Sequence, residues 1–128
     1  MTLKSFLIMV LAVPLGACAA QERPPTSHLM EKGPYQALYG ANGRLQRLVY
    51  DSNGDGRAEV VTLFAPTGKP QKAEIDSDGD GVVDRWELFS ASGVMEKVGF
   101  SRRKDGRPDE WVFVDPSGAI LRRERVEN

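Results

Sequence analysis

A 25-residue repeat organises most of the chain and constrains its fold more than any other feature. Two closely similar acidic segments begin at Asp51 and Asp76, and a third, altered copy begins at Ser101. The second half of each unit repeats as well, and its glycine recurs at Gly43, Gly68, Gly93 and Gly118. A period of roughly 20 to 50 residues indicates stacked copies of one supersecondary unit, each burying apolar side chains against the next.

Each unit has the pattern of two strands joined by a tight turn. The segments 60–64 and 110–114 are short and rich in β-branched and aromatic residues, which favours strands over helices. Both are followed by turn-forming clusters that contain proline and glycine. The sequence therefore predicts an all-β domain over residues 35–128, an antiparallel up-and-down meander of about eight strands in which acidic loops join successive hairpins.

The returning strands alternate between apolar and polar residues, as half-solvated antiparallel strands do. On these strands the basic residues Arg47, Lys72 and Lys97 lie opposite to the apolar side. We expect six side chains to form the apolar face of the sheet, namely Val61, Leu63, Trp86, Leu88, Trp111 and Phe113. A small sheet with one apolar face needs cover, so we expect it to curl on itself or to dock on a partner.

The loop 76–87 concentrates carboxylates that need a countercharge, because two unit charges about 4 Å apart repel by roughly 1 kcal/mol even in water. Calcium takes six to eight oxygen ligands, which a twelve-residue loop supplies from positions 1, 3, 5, 7, 9 and 12. These positions hold Asp76, Asp78, Asp80, Val82 through its carbonyl, Asp84 and Glu87. Oxygen ligands without histidine or cysteine favour a hard cation. The sequence therefore predicts a Ca2+ site, and the alternative is a solvated acidic turn.

The loop 51–62 is a poorer copy of the same pattern. Its last position is Thr62, which cannot supply a bidentate carboxylate, so we expect weaker calcium binding. The oxygen ligands that it offers are Asp51, Asn53, Asp55, Arg57 through its carbonyl, and Glu59.

The loop 101–112 has lost the pattern, since serine and arginine replace its first two acids. We predict that this loop binds no calcium and that a basic side chain supplies the positive charge directly. The candidates are Arg102, Arg103 and Lys104.

The first twenty residues have the pattern of an export signal, with a lysine before an apolar run that is too short to span a bilayer. The run ends in Leu15-Gly16-Ala17-Cys18, which resembles a bacterial lipobox. The resemblance implies a signal peptide over residues 1–17, attachment of lipid such as palmitate at Cys18, and anchoring in a membrane. Because Ala19 follows the cysteine instead of an aspartate, it also implies the outer membrane, facing the periplasm. The alternative is an ordinary cleaved secretory signal.

The remaining features exclude several classes of function. Residues 18–34 predict a flexible, proline-bearing tether. The chain has 17 basic and 18 acidic residues, and this balance gives no reason to expect nucleic acid as a partner. The single cysteine and the single histidine, Cys18 and His28, both precede the repeats, so we expect no nucleophile built on them and no enzymatic activity.

The acidic loop at Asp76 resembles an EF-hand calcium loop, D-x-D-x-D-G-x-x-D-x-x-E. The flanks depart from that pattern, because Gly68 and Pro70 oppose a helix before the loop and the segment after Glu87 allows at most two turns of helix. The loop is therefore more similar to thrombospondin type 3 or dockerin-type loops. From Pro34 onwards the chain resembles short bacterial lipoproteins with repeated D-x-N-G-D-G segments and, distantly, MORN-like hairpin repeats.

These resemblances imply a membrane-anchored, calcium-binding lipoprotein that acts as a non-catalytic binding or scaffold module of the cell envelope. Such a module needs an envelope protein as partner, and the face with Trp86 and Trp111 is the surface that we expect to bind it. The alternative is a purely structural envelope lipoprotein in which calcium only stabilises the fold.

Overall fold

A computed structural model describes residues 26–127 of the protein. The predicted signal peptide and the predicted lipid attachment at Cys18 lie outside the described residues. The described residues contain no helix, and so none that is long and apolar enough to cross a membrane.

The described residues form one antiparallel sheet of nine strands that follow one another in chain order, which confirms the predicted all-β meander. The strands are β1 (His28–Lys32), β2 (Tyr35–Tyr39), β3 (Leu45–Tyr50), β4 (Val60–Phe64), β5 (Pro70–Ile75), β6 (Arg85–Phe89), β7 (Met95–Phe100), β8 (Glu110–Val114) and β9 (Ile120–Arg125).

The sequence predicts about eight strands, and the additional strand is β1, which lies in the segment expected to be a tether. Gly33 has a φ of 57° at the first position of a two-residue loop, and Pro34 follows it, which suits a type II′ hairpin turn. The glycine and proline that indicate a linker in the sequence therefore make a turn. His28 stacks on Tyr39 with ring centroids 5.1 Å apart, and the sheet begins before residue 35.

The recurring glycine closes the hairpin in each repeat. In the turn after β4, Gly68 has a φ of 85° and its amide donates to the carbonyl of Ala65. The register of β4 with β5 shifts next to this turn, between Leu63 and Phe64. A left-handed residue after a tight turn, followed by a bulge, is a common three-residue hairpin connection. The same hydrogen bonds recur at Gly43, Gly93 and Gly118.

The register places apolar and basic residues on the same face of the sheet. Trp86 lies opposite Gly99, which lies opposite Trp111, while Leu88 lies opposite Lys97. Directly paired residues share a face, so the six predicted apolar side chains lie together, as expected. That face also carries the basic residues of the returning strands. We call it the tryptophan face, and its members are Val61, Leu63, Trp86, Leu88, Trp111 and Phe113, with Arg47, Lys72, Lys97 and Arg122.

The opposite face, which we call the valine face, is mixed in the same way. Its buried residues Ala73, Val98 and Val112 alternate with Thr62 and Glu87 along one row. Polar residues such as Thr62 and Glu87 on this face, and basic residues on the tryptophan face, mean that neither face is a continuous apolar surface.

The sheet remains open and one layer thick over residues 26–127. Each described strand contacts only its neighbours in the chain, and β1 and β9 do not meet. The curling that we expected is therefore not found in this part of the chain. The edge strand β9 is exposed throughout and carries three arginines, which oppose pairing with another edge.

Candidate metal centre and adjoining groove

The three acidic loops lie side by side at one end of the sheet together with the Gly33-Pro34 turn, and the hairpin turns at Gly43, Gly68, Gly93 and Gly118 lie at the other end. Backbone hydrogen bonds join neighbouring loops. For example, the amide of Asp76, at the start of the second loop, donates to the carbonyl of Glu59, at the end of the first, at 2.8 Å. The side chain of Arg57 lies against Gly81 of the following loop, and that of Val82 lies against Gly106. The 25-residue period therefore stacks equivalent loop positions beside one another.

Three carboxylates of the second loop converge on one point. One oxygen from each of Asp76, Asp78 and Asp84 lies within 4.8 Å of the other two. Ca2+ binds oxygens at about 2.3–2.6 Å, so two ligands on opposite sides of the ion lie up to about 5 Å apart. Asp76 is 6% exposed, Asp84 is half-buried and Asp78 is exposed. This triad could therefore hold a metal ion.

The loop's own backbone also stabilises the triad. The Asp76 carboxylate accepts hydrogen bonds from the amides of Gly79 and Gly81, at 2.8 and 2.7 Å. Asp84 accepts from the amide and hydroxyl of Ser77, at 3.2 and 2.7 Å. These bonds hold the two carboxylates in place. The acidic pattern therefore shapes the loop as well as supplying ligands.

The other two predicted carboxylates of this loop, on Asp80 and Glu87, do not join the triad. The Asp80 carboxylate accepts from the Val82 amide at 2.8 Å, within the loop. Glu87 lies in β6 opposite Ala73 and bonds to Arg85 at 2.6 Å. In an EF-hand a helix turns the last glutamate inward, whereas here the extended strand begins at Arg85 and carries Glu87 away.

The first loop has the same backbone arrangement without a carboxylate triad. Asp51 accepts from the amides of Gly54 and Gly56, at 2.7 and 2.9 Å. The other side chains predicted to bind metal accept from loop amides too: Asn53 from Asp55, Asp55 from Arg57, and Glu59 from Ser52. In residues 26–127, the second loop holds the one group of three acidic side chains that could bind an ion.

The third loop carries basic side chains, and one of them reaches the second loop. Lys104 forms an ion pair with Asp78 of the second loop. This contact lowers the pKa of the Asp78 carboxyl and raises the pKa of the Lys104 ammonium. Lys104 has a φ of 54°, at the position that Gly54 and Gly79 occupy in the earlier loops. A lysine therefore reaches the triad from the adjacent repeat.

The two arginines of this loop pair within their own repeat. Arg102 bonds to Glu110, with its Nε 3.0 Å from the carboxylate, and Arg103 lies 3.7 Å from Asp109. Arg123 lies 3.5 Å from the same Glu110 carboxylate. The hydrogen bond from Arg102, together with Arg123, holds the pKa of Glu110 below its usual value.

A groove of about 490 Å³ runs from the triad along the valine face. Asp84 belongs to both the groove and the triad. The Arg85 guanidinium lies 5.9 Å from the centre of the Phe100 ring, and in residues 26–127 nothing accepts a hydrogen bond from its buried Nε. The lining residues are Ser77, Asp84, Arg85, Phe100, Ser101, Arg102, Val112, Ile120 and Arg123.

Three arginines line the groove, and each lies against a carboxylate: Arg85 against Glu87, and Arg102 and Arg123 against Glu110. Sequence reasoning missed this groove. Register aligns Arg85, Phe100 and Glu110 in one row across β6, β7 and β8, and the sequence alone does not give that register. The signal that could have found the groove is Arg85 itself, because it directly follows the ligand Asp84 and lies on a strand whose other polar residue is acidic.

No protein-family model and no curated protein sequence matches the chain. Among solved structures, a mutant of S. aureus TarM in complex with fondaparinux, alpha-GlcNAc-glycerol and UDP has a TM-score of 0.60 at 16% identity, covering 82% of this chain and 20% of TarM. A second TarM structure has a TM-score of 0.55 at 18% identity, with 77% and 19% covered. The chain therefore spans about a fifth of the length of these proteins, and the likeness shows the fold.

These comparisons correct the predicted function. The sequence predicts a non-catalytic, calcium-binding scaffold lipoprotein or a purely structural one, and no enzymatic role, whereas the fold is shared with TarM, whose structure was solved in complex with UDP and alpha-GlcNAc-glycerol. The prediction rests on the acidic pattern of the loops. That pattern also closes the loops through backbone amides, so it is a poor guide to function.

Proposed function

We propose that the chain acts in glycosyl transfer and that its groove binds an anionic carbohydrate, such as a sugar phosphate or a nucleotide sugar. The observation that carries the proposal is the groove lined by Arg85, Arg102 and Arg123 beside the Asp84 carboxylate. The fold shared with TarM, whose structure was solved with UDP and alpha-GlcNAc-glycerol, supports it.

The chemistry of the groove suits such a ligand. A guanidinium fork matches the oxygens of a phosphate group in a bidentate way. Arg85 donates to Glu87 at 2.6 Å, so a phosphate would compete with Glu87 for this guanidinium. Two serine hydroxyls, on Ser77 and Ser101, line the same groove. The ring of Phe100 offers an apolar surface to the face of a sugar.

We further propose that the triad of Asp76, Asp78 and Asp84 takes Ca2+. Oxygen-only ligands favour a hard cation, and a bound ion would add positive charge at the end of the groove. Asp84 would then link the ion to the ligand site. Lys104 would compete with the ion for Asp78, because both are cations that need the same carboxylate.

Calorimetric titration of UDP, and separately of N-acetylglucosamine 1-phosphate, into the full-length chain tests the groove. We expect Arg85→Ala to weaken binding roughly 10- to 150-fold, as loss of a hydrogen bond to a charged group does. Arg85→Lys should also weaken binding, since an ammonium lacks the fork. Arg47→Ala removes an equal charge from the opposite face and should leave the affinity unchanged. If both alanine variants lost the same affinity, binding would depend on overall charge, and the groove would not be the binding site.

Titration of Ca2+, with Mg2+ for comparison, tests the triad. We expect Asp84→Asn to remove calcium binding, while Glu87→Gln should leave it intact because Glu87 lies in β6 against Arg85. Calcium binding that depends on Glu87 would show that the loop closes as an EF-hand does and that the triad is not the site.

We also propose that lipid on Cys18 anchors the chain in the cell envelope, at the outer membrane. The lipobox-like sequence that ends at Cys18 supports this location. Labelled palmitate should enter the wild-type chain and not a Cys18→Ser variant. Label in both chains would count against the anchor.

A further inference from the structure

A straight row of cations crosses the tryptophan face. Pairwise register places Arg47 opposite Leu63, Leu63 opposite Lys72, and Lys72 opposite Leu88. The row continues through Lys97 and Phe113 to Arg122 at the far edge. Every second strand therefore contributes a cation. We call Arg47, Lys72, Lys97 and Arg122 the cation row.

The spacing of the cation row follows from the sheet. Adjacent strands lie about 4.8 Å apart, so consecutive cations are about 10 Å apart and the row is about 29 Å long. Apolar side chains lie between the cations, and one of them, Leu63, is 37% exposed. The row thus offers evenly spaced positive charges along a line perpendicular to the strands.

The charge of the row is only partly neutralised. Lys72 pairs with Glu74 at 2.6 Å, and Arg122 pairs with Glu124 at 2.8 Å. Among the described residues, neither Lys97 nor Arg47 has a carboxylate within 4 Å. Four cations against two carboxylates leave two positive charges on the strip.

Two aromatic rings lie beside the last two cations of the row. The ammonium of Lys97 lies 4.6 Å from the centre of the Trp111 ring system, and the Arg122 guanidinium lies 3.7 Å from that of Phe113. Both rings are half-buried. Charge beside a partly exposed aromatic surface suits a ligand that is anionic and also has apolar sugar faces.

We propose that the cation row binds a linear anionic glycan, laid across the strands with one acidic group against each cation. Widely spaced charges favour such a polymer over nucleic acid, whose phosphates follow one another at about 3.4 Å along a helical strand. Glu74 and Glu124, which lie beside Lys72 and Arg122 on the same strands, would repel so dense a line of charge. This surface lies on the opposite face from the groove, so it is a second site.

The test uses hyaluronan oligosaccharides, which carry one carboxylate on every second sugar, titrated into the full-length chain at low salt. Affinity should rise with length until four carboxylates span the row and then level off, with the larger gains from the carboxylates that reach Arg47 and Lys97, which have no ion pair among the described residues. Chitin oligosaccharides of equal length have no charge and should bind more weakly. Single-stranded DNA with the same number of charges should also bind more weakly.

Variants separate the row from general charge. Exposed charge pairs are individually weak, so Lys97→Gln should weaken binding roughly 2- to 5-fold and Lys72→Gln with Lys97→Gln roughly 4- to 25-fold. Lys69→Gln with Arg107→Gln removes two cations outside the row and should have no effect. Circular dichroism shows whether each variant folds. Equal weakening by both double variants, or binding of DNA or chitin as tight as that of hyaluronan, would overturn the proposal. Arg85→Ala should leave hyaluronan binding unchanged whether or not the groove binds sugar phosphates.

Discussion

Replacing Trp86 by alanine should destabilise the sheet more than any other single truncation on the tryptophan face. Trp86 is 7% exposed, so nearly its whole side chain is removed from water. A buried tryptophan covers roughly 150–250 Å². At about 25 cal/mol per Å², this corresponds to about 4–6 kcal/mol. Partial relaxation around the site brings the expected loss in the free energy of unfolding to about 3–5 kcal/mol.

Urea denaturation followed by circular dichroism measures this loss, and Trp111→Ala is the matched control. Trp111 lies 25 residues later at the same repeat position, but it is half-buried, so its removal should cost about half as much, about 2 kcal/mol. In thermal melts, Trp86→Ala should lower Tm by about 12 °C or more. An equal or larger loss for Trp111→Ala would show that burial does not control the stability of this open sheet.

Three further predictions concern packing, the triad and the groove. Gly99→Val should destabilise the sheet by about 1–3 kcal/mol in urea denaturation, because a Cβ at Gly99 would lie 2.8 Å from the Trp111 ring; no loss would mean that the ring moves freely. Lys104→Ala should raise the pKa of Asp78 towards its ordinary value in an NMR titration and should tighten calcium binding; unchanged values would show that the ion pair is absent in solution. Since the Asp78 pKa is lowered in the folded protein, the stability that this pair contributes is present above the ordinary aspartate pKa and is lost as the pH falls through the folded-state pKa, a loss that Lys104→Ala should abolish. Glu110→Gln should strengthen UDP binding in calorimetry, because it frees Arg102 and Arg123; weaker binding would place Glu110 in contact with the ligand.

Repetition made the strands predictable from sequence. The glycine at Gly68 and its equivalents sets the hairpins, and the β-branched runs before it set the outgoing strands, because both are local properties of the chain. The exception is β1. Its Gly33-Pro34 turn has the composition of a linker, and only pairing with β2 shows that it is a hairpin.

The candidate site was less predictable because it depends on which loops and strands lie side by side. The triad of Asp76, Asp78 and Asp84 could be found from spacing within one loop. The contact of Lys104 with Asp78 could not, since it joins two repeats through the stacking of their loops. Glu87 fits the loop pattern, yet the strand that follows the loop carries it to a different partner.

The groove and the cation row depend on strand register. Arg85 and Phe100 are 15 residues apart and meet because β6 and β7 pair with Arg85 opposite Phe100. The sequence shows that Lys72 and Lys97 share a repeat position, but their shared face with the tryptophans follows from the pairing across β6. The alternation of residue types predicts which residues of one strand share a side. The pairing register determines which sides of neighbouring strands form the same face of the sheet.

The most direct test of the proposed function is an NMR titration of the isotope-labelled full-length chain with UDP-N-acetylglucosamine in the presence of calcium. We predict that the amide signals of Ser77, Arg85, Phe100 and Ser101 shift together and saturate, and that Arg85→Ala removes these shifts. Signals on the tryptophan face, such as that of Leu63, should stay in place. Absence of saturable shifts at millimolar ligand, or shifts centred on the tryptophan face, would contradict a carbohydrate site in the groove.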